Sequence, residues 1–200
     1  MKWVWMLTMR LKTWRRKFVF TTVALVAFGV ASLMTATLAL VPTTVGEAKA
    51  PDPKAFKGAV VQVYGADVWG VRGRFAIHTW VATKARDADT YRIYQVIGWR
   101  LRRGQPVVSI TRGMPDKPWF RSSPMLLHEV LGKSAEALVE PIHAAALSYP
   151  YADEYSMWPG PNSNSFTAWI GLEVPELGLS LPAKAIGKSW MAGEYLANQH

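Results

Sequence analysis

The chain contains no cysteine, and no acidic residue precedes Glu47. The lack of cysteine excludes disulfide bonds and thiolate chemistry, so the fold must be held together by packing. The four histidines form no i, i+4 helical pair, and no thiol is present to complete a tetrahedral zinc site. Two Gly-Lys-Ser triplets, at residues 132–134 and 187–189, lack the earlier glycine of a phosphate-binding loop. We therefore predict no metal ion and no cofactor.

An apolar segment without charged residues covers residues 18–41, directly after a basic flank at residues 1–17. As a helix it would reach roughly 36 Å at about 1.5 Å per residue, against a hydrocarbon core of ~30 Å. The Lys and Arg residues of the flank favour a cytoplasmic N-terminus. We therefore expect a single-pass inner-membrane anchor, a linker over residues 42–57, and a globular domain over residues 58–200 in the periplasm or otherwise outside the cytoplasm.

A cleaved signal peptide is the competing interpretation of the same segment. Ala48, Lys49 and Ala50 fit the small-x-small pattern of a cleavage site. The apolar run is longer than the usual signal core, and Pro51 directly after the site disfavours cleavage. A retained anchor is therefore preferred, and either alternative places the domain outside the cytoplasm. A buried core helix is disfavoured because no polar face interrupts the run.

The formal net charge of +9 comes mostly from the N-terminal end of the chain. Seven of the 23 basic residues but one of the 14 acidic residues precede residue 51, which leaves 16 against 13, a net charge of +3. Most of the positive charge therefore belongs to the cytoplasmic flank and not to a folded surface. A nucleic-acid partner is not predicted.

The first half of the domain has the pattern of a β-sheet. Runs rich in Val, Ile, Tyr, Trp and Phe, with Gly and Asp between them, predict strands over residues 59–64, 75–83, 91–99 and 107–111, and residues 125–130 predict a fifth. Short gaps between such strands indicate an antiparallel meander. The second half of the domain differs in character.

Two helices are predicted after the strands. Ser134 can cap a helix that continues to Ser148, with Pro141 as a candidate kink. A second helix begins at Ser163 or Asn164, after a turn-rich segment, and ends before Pro175. Strands followed by helices are typical of an α+β domain, so we expect one mainly antiparallel sheet packed by two or more helices.

The densest motif is Tyr-Pro-Tyr followed by Trp-Pro-Gly-Pro-Asn-Ser-Asn-Ser-Phe at residues 158–166. It delivers Ser163 to the first turn of the predicted second helix. This layout resembles circularly permuted papain-like enzymes, which include lecithin retinol acyltransferase-like and NlpC/P60-like proteins. In those enzymes an early strand supplies His, and a later Asn-Cys-x-x-Phe opens a helix with the nucleophile. The resemblance covers roughly residues 59–174, with Ser163 in place of cysteine.

The resemblance implies acyl transfer or amide hydrolysis in a permuted papain-like fold. Ser163 would be the nucleophile, His78 the general base, and Gln95 the residue that orients His78. A serine hydroxyl is harder to deprotonate than a thiol, so His78 must act as a true base. Strand alternation does not decide between Gln95 and Tyr94 as the orienting residue. The residues expected to bind the ligand surround this site: Asn162, Asn164, Trp80 and Trp158.

The same block also resembles a bacterial family, domain of unknown function 3750. The Trp-Pro-Gly-Pro-Asn-Ser-Asn-x-Phe block, the Tyr-Pro-Tyr before it and the His-x-Trp at residues 78–80 carry this resemblance over residues 59–190. Membership of that family implies no established activity.

Three functional hypotheses follow for the domain. The first is a membrane-tethered hydrolase or acyl transferase that acts on envelope lipid acyl esters or peptidoglycan stem peptides. The second is a non-catalytic relative that binds such a ligand in the same groove. The third is a structural envelope protein that uses a tryptophan-rich surface for partners. In the non-catalytic cases Ser163 is an ordinary helix N-cap and His78 a satisfied core histidine.

Overall fold

The computed structural model describes residues 50–191 and residue 193. The predicted flank, residues 1–17, and the predicted membrane span, residues 18–41, lie outside the described residues and stay predictions. In the described part of the chain, no helix has both the length and the apolar character that a bilayer crossing requires.

Five strands form one antiparallel sheet, in the spatial order β4-β3-β2-β1-β5. The strands are β1 (Val60–Asp67), β2 (Ile77–Lys84), β3 (Tyr91–Val96), β4 (Val108–Gly113) and β5 (Met125–Leu131). The first four form a meander, and β5 returns to pair with β1. The predicted antiparallel sheet is confirmed. Its central strands, β1 and β2, are buried along nearly their whole length.

Two α-helices pack on the sheet and complete an α+β domain. The first, α1 (Gly132–Leu147), contains Pro141 and contacts β1 and β5. The second, α2 (Ser163–Glu173), contacts β2 and β3. Shorter 3-10 turns occupy Gly70–Arg74, Gly98–Arg103 and Pro175–Leu177.

The side chains of β2 alternate between two apolar clusters on opposite faces of the sheet. On the helical face, Ile77 and Val81 join the core that contains Phe166 and Ile170 of α2. On the other face, which we call the loop face, Trp80 and Ala82 of β2 pack in a cluster with Tyr64, Tyr91 and Trp119. Odd-numbered residues of β2 therefore face the helices, and even-numbered residues face the loops.

The strands β2 and β3 pair over a short distance. Their register in the described chain covers Val81↔Tyr94, Ala82↔Ile93 and Thr83↔Arg92. Toward the start of β2, the ladder between these two strands has ended. A gap between β2 and β3 therefore lies beside the N-terminal half of β2.

Residues 50–57, the end of the predicted linker, lie against the loop face. The Ala50 amide donates to Asp116 Oδ2 at 3.0 Å, and the Tyr91 hydroxyl donates to the Pro51 carbonyl at 2.8 Å. Phe56 packs against the loop-face cluster. The chain therefore enters the domain at the loop of residues 114–124, between β4 and β5.

Candidate functional site

His78 lies on the loop face, beside the gap between β2 and β3. Its Nε2 atom is 3.1 Å from Gln95 Oε1. Its ring stacks on Trp119 with ring centroids 3.8 Å apart and planes inclined by 12°. The structure thus places Gln95 against His78, whereas Tyr94 belongs to the cluster on the helical face.

Burial controls the protonation of His78. The side chain is 6 % exposed, and burial lowers the pKa of the imidazole to about 4, against the opposing effect of the Gln95 hydrogen bond. Because the Gln95 carbonyl oxygen can only accept, Nε2 carries the proton of the neutral ring and Nδ1 keeps its lone pair. His78 is therefore a neutral imidazole at neutral pH.

Ser163 is the first residue of α2, and the residue that caps the helix is Asn162. The Asn162 Oδ1 atom accepts from the amides of Asn164 at 2.9 Å and Ser165 at 3.1 Å, and the Asn162 amide donates in turn to Ser165 Oγ at 3.2 Å. This reciprocal pair is a capping box. The interpretation of Ser163 as the N-cap is therefore wrong, because the asparagine before it performs that function.

The polar side chains of the motif bind backbone carbonyls of other segments. Asn162 Nδ2 donates to the Met157 and Ile186 carbonyls at 3.2 and 3.1 Å. Asn164 Nδ2 donates to the Ile77 and Ile186 carbonyls at 3.0 and 2.8 Å. Both amides, predicted as ligand-binding groups, are thus engaged inside the domain, where they fix the segment at residue 186 and the start of β2.

Thr79, and not His78, faces the start of α2. The Thr79 hydroxyl lies 2.9 Å from both Asn164 Oδ1 and Thr167 Oγ1 and 3.3 Å from the Ser163 carbonyl. Since neighbouring residues of a strand point to opposite faces, α2 covers the face from which His78 points away. Within the described residues, Ser163 Oγ forms no hydrogen bond to His78 or to another side chain. The structure brings His78 together with Gln95, and Ser163 together with Thr79.

The two tryptophans predicted to bind ligand differ in exposure. Trp80 is buried on the loop face, where its indole N–H donates to the Pro115 carbonyl at 3.0 Å and its ring stacks on Tyr64. Trp158 lies in the segment before α2 and is 72 % exposed. Trp158 is therefore available to a ligand, whereas Trp80 is a core residue.

A cleft of about 400 Å³ opens between the Gly70–Arg74 turn and the loop of residues 114–124. It lies next to the His78 cluster, by which we mean His78, Gln95 and Trp119. Its lining includes three cationic, one anionic and two aromatic side chains: Arg74, Arg121, Lys184, Asp67, Trp69 and Phe120. Phe120 packs edge-on against Trp119, the residue that stacks on His78. The cleft and the His78 cluster are therefore neighbours.

The charges of the cleft are unbalanced. Lys184 Nζ and Asp67 Oδ1 form an ion pair at 2.6 Å. In the described part of the chain, Arg74 and Arg121 have neither an ion-pair partner nor a side-chain hydrogen bond, and both are exposed. The cleft therefore presents two uncompensated guanidinium groups beside two exposed aromatic rings, an arrangement suited to an anion with an apolar part.

Sequence reasoning missed these cationic residues. Arg74 precedes β2, Arg121 follows β4, and Lys184 lies after α2, so no local spacing connects them. For Arg74 alone, a signal was available in the grouping of aromatic and basic residues in Trp-Gly-Val-Arg-Gly-Arg-Phe at residues 69–75. Within the described residues, no group of three or more metal-ligating side chains is assembled.

The chain matches the family described as "Protein of unknown function (DUF3750)" over residues 58–190, and it belongs to that family. No curated protein and no solved structure matches the chain.

Proposed function

We propose that this member of the DUF3750 family is a lipid-binding domain of the bacterial envelope. Residues 18–41 anchor it in the inner membrane, with the N-terminus in the cytoplasm and the domain in the periplasm. The ligand is an anionic lipid whose headgroup enters the cleft. The observation that carries this proposal is the pair of unpartnered guanidinium groups, Arg74 and Arg121, beside the exposed rings of Trp69 and Phe120.

The chemistry of the cleft matches a phosphate bearing an apolar chain. A guanidinium group presents several donors in a planar fork that fits phosphate oxygens. Asp67 does not oppose such a ligand strongly, because Lys184 already neutralises it. Trp69 and Phe120 offer apolar area to the glycerol and the first methylenes of a lipid tail.

Binding is preferred to catalysis because of the two faces of β2. A serine nucleophile needs its base within hydrogen-bond reach. His78 points to the loop face, whereas Ser163 begins the helix that covers the opposite face. In the described part of the chain, the side chains seen to contact the His78 ring are Gln95, Trp80 and Trp119, and none of them is a nucleophile.

A hydrolase or acyl transferase is the second candidate function. Two observations favour it: His78 is neutral and held by an amide oxygen, as the papain-like resemblance implies, and the Ser163 hydroxyl is uncommitted within the described residues. Envelope lipid esters or peptidoglycan stem peptides would be the substrates. The dependence on His78 of the reactivity of a cysteine at residue 163 separates the two candidates.

The binding proposal is tested by calorimetric titration of the full chain in phosphatidylcholine nanodiscs. Dihexanoyl phosphatidylglycerol, a soluble anionic lipid, is expected to bind, and dihexanoyl phosphatidylcholine is not. The double variant Arg74→Gln, Arg121→Gln should weaken binding roughly tenfold or more, because each arginine contributes a charge-assisted hydrogen bond. Arg102→Gln with Arg103→Gln, exposed arginines outside the cleft lining, is the control of equal charge.

Two results with these lipids and variants would overturn the proposal. One is equal affinity for the two lipids, since the arginines would then not distinguish an anionic headgroup from a zwitterionic one. The other is equal weakening by both double variants, which would assign the effect to net charge and not to the cleft. Binding of a soluble peptidoglycan stem peptide in place of the lipid would also reject it.

A further inference from the structure

The 3-10 turn Gly70–Arg74 and its flanks hold large apolar side chains in water. Trp69 is 80 % exposed, Val71 78 % and Phe75 70 %. Phe120, across the cleft from Trp69, is also largely exposed. A cluster of such side chains on one surface marks an interaction site, because isolated exposed hydrophobic residues are ordinary but a contiguous group is not.

Basic side chains alternate with these apolar ones. Arg72 and Arg74 lie within the turn, and Arg121 follows Phe120. Arg72 also reaches the exposed Met157, with Nη1 3.6 Å from the sulfur. We define the aromatic-basic face as the following set: Trp69, Val71, Arg72, Arg74, Phe75, Phe120 and Arg121.

We propose that the aromatic-basic face docks on an anionic bilayer surface, with the turn at residues 69–75 inserted among the lipid headgroups. Aromatic rings with apolar bodies settle at the boundary between headgroups and acyl chains, and arginines contact the phosphates. The excess of arginine over carboxylate on this face complements an anionic surface. A face for a neutral protein partner would not need these unpaired cations.

The described part of the chain begins beside this face. Ala50 bonds to Asp116 in the loop that also carries Phe120 and Arg121. Eight residues lie between Val41 and Ala50, so the nine residue steps that connect them could span at most about 30 Å if extended. This step rests on the anchor in the proposed function, whereas the composition of the face stands independently.

The lack of cysteine makes a site-specific probe straightforward. A single cysteine at Val71→Cys, labelled with an environment-sensitive nitrobenzoxadiazole dye, reports on the centre of the face. Ala85→Cys is the matched control, because Ala85 is exposed and follows the far end of β2. The full chain is reconstituted into vesicles of phosphatidylcholine with an equal amount of phosphatidylglycerol, or of phosphatidylcholine alone.

In the anionic vesicles, the dye at residue 71 should shift its emission to the blue, and nitroxide-labelled lipid should reduce its emission by roughly half. The dye at residue 85 should show neither effect. Replacing Arg72, Arg74 and Arg121 by Gln should abolish the dependence on phosphatidylglycerol. These results together support docking.

The proposal is overturned if the dyes at residues 71 and 85 behave alike in anionic vesicles. It is also overturned if the shift at residue 71 rises with protein density and is insensitive to lipid charge, which would identify a second copy as the occupant. Titration with soluble lipid separates this proposal from the preceding one. A shifted dye without soluble-lipid binding supports docking and rejects cleft binding, and soluble-lipid binding with an unshifted dye rejects docking alone.

Discussion

His78 Nε2 lies 3.1 Å from Gln95 Oε1, across the gap where β2 and β3 no longer pair. The bond connects two strands at the point where their backbone ladder has ended. Burial, with the Trp119 ring stacked on it, keeps the imidazole neutral, against the opposing effect of the Gln95 hydrogen bond on its pKa. His78 is therefore an acid-sensitive element of the fold, whatever its role in ligand binding.

We expect His78 to make the domain less stable in mild acid. Its pKa is about 4 in the folded protein and about 6.5 when unfolded, so between those values the unfolded chain binds the extra proton. The contribution of His78 to the free energy of unfolding should therefore fall as the pH drops from about 6.5 to about 4, by up to about 3 kcal/mol, and stay constant below that range. Urea unfolding followed by tryptophan fluorescence measures this loss.

The matched variant is His78→Gln, which cannot titrate. Burial also lowers the pKa of His128, so the wild-type slope contains a second contribution. The difference in slope between wild type and variant isolates His78. Identical slopes over this pH range would contradict the assigned pKa.

Asn162 should contribute far more to stability than Ser163. Asn162→Ala removes a capping oxygen and leaves the Met157 and Ile186 carbonyls short of a donor, which we expect to cost about 3 kcal/mol. Ser163→Ala should change the free energy of unfolding by less than about 0.5 kcal/mol, because its hydroxyl forms no hydrogen bond in the described part of the chain. Thermal or urea unfolding of both variants is the measurement. Equal costs would reassign the cap.

The secondary structure could largely be predicted from the sequence because it depends on local patterns. The strand predicted over residues 75–83 is Ile77–Lys84, and the helix predicted over residues 134–148 is Gly132–Leu147. The strand predicted over residues 91–99 ends earlier, at Val96, because Gly98–Arg103 forms a 3-10 turn closed by Gly104 at φ 63°. Local apolar content did not distinguish that turn from strand.

The arrangement of the site could not be predicted in the same way. The alternation of side chains along a strand shows that His78 and Trp80 share a face of the sheet. It does not show which face α2 covers, because that depends on how the later part of the chain packs on the sheet. Arg74 lies in the turn after β1, and Arg121 lies in the loop before β5. Because β5 pairs with β1, the two arginines line one cleft. Such proximity arises from topology and leaves no spacing in the sequence.

Two glycines should respond to alanine in opposite directions. A Cβ on Gly73 would collide with the Val68 carbonyl oxygen, so Gly73→Ala should cost about 2 kcal/mol and distort the Gly70–Arg74 turn. Gly171 lies within α2, and in Gly171→Ala the atoms nearest to the new methyl would belong to the Leu179 side chain, at an ordinary contact distance of 3.4 Å. This variant should gain about 0.5 kcal/mol from helix propensity. Urea midpoints compare the two, and a stabilised Gly73→Ala protein would contradict the packing of the turn.

The reactivity of a cysteine at residue 163 decides between binding and catalysis. A thiol at the first residue of α2 experiences the helix N-terminus, which alone lowers its pKa and speeds alkylation. Enhanced reactivity of Ser163→Cys is therefore not sufficient evidence for a papain-like site. The informative quantity is its dependence on His78, since a thiolate paired with imidazolium loses reactivity when the imidazole is removed.

Because His78 lies on the loop face, we expect iodoacetamide to react with Ser163→Cys at the same rate whether residue 78 is His or Ala. The chain has no native cysteine, so the signal is unambiguous. Ser189→Cys, at an exposed position, supplies the reference rate for an unassisted thiol. A rate at residue 163 that exceeds this reference and falls by about tenfold or more on His78→Ala, in a protein that remains folded, would reject the binding domain and restore Ser163 and His78 as a catalytic pair.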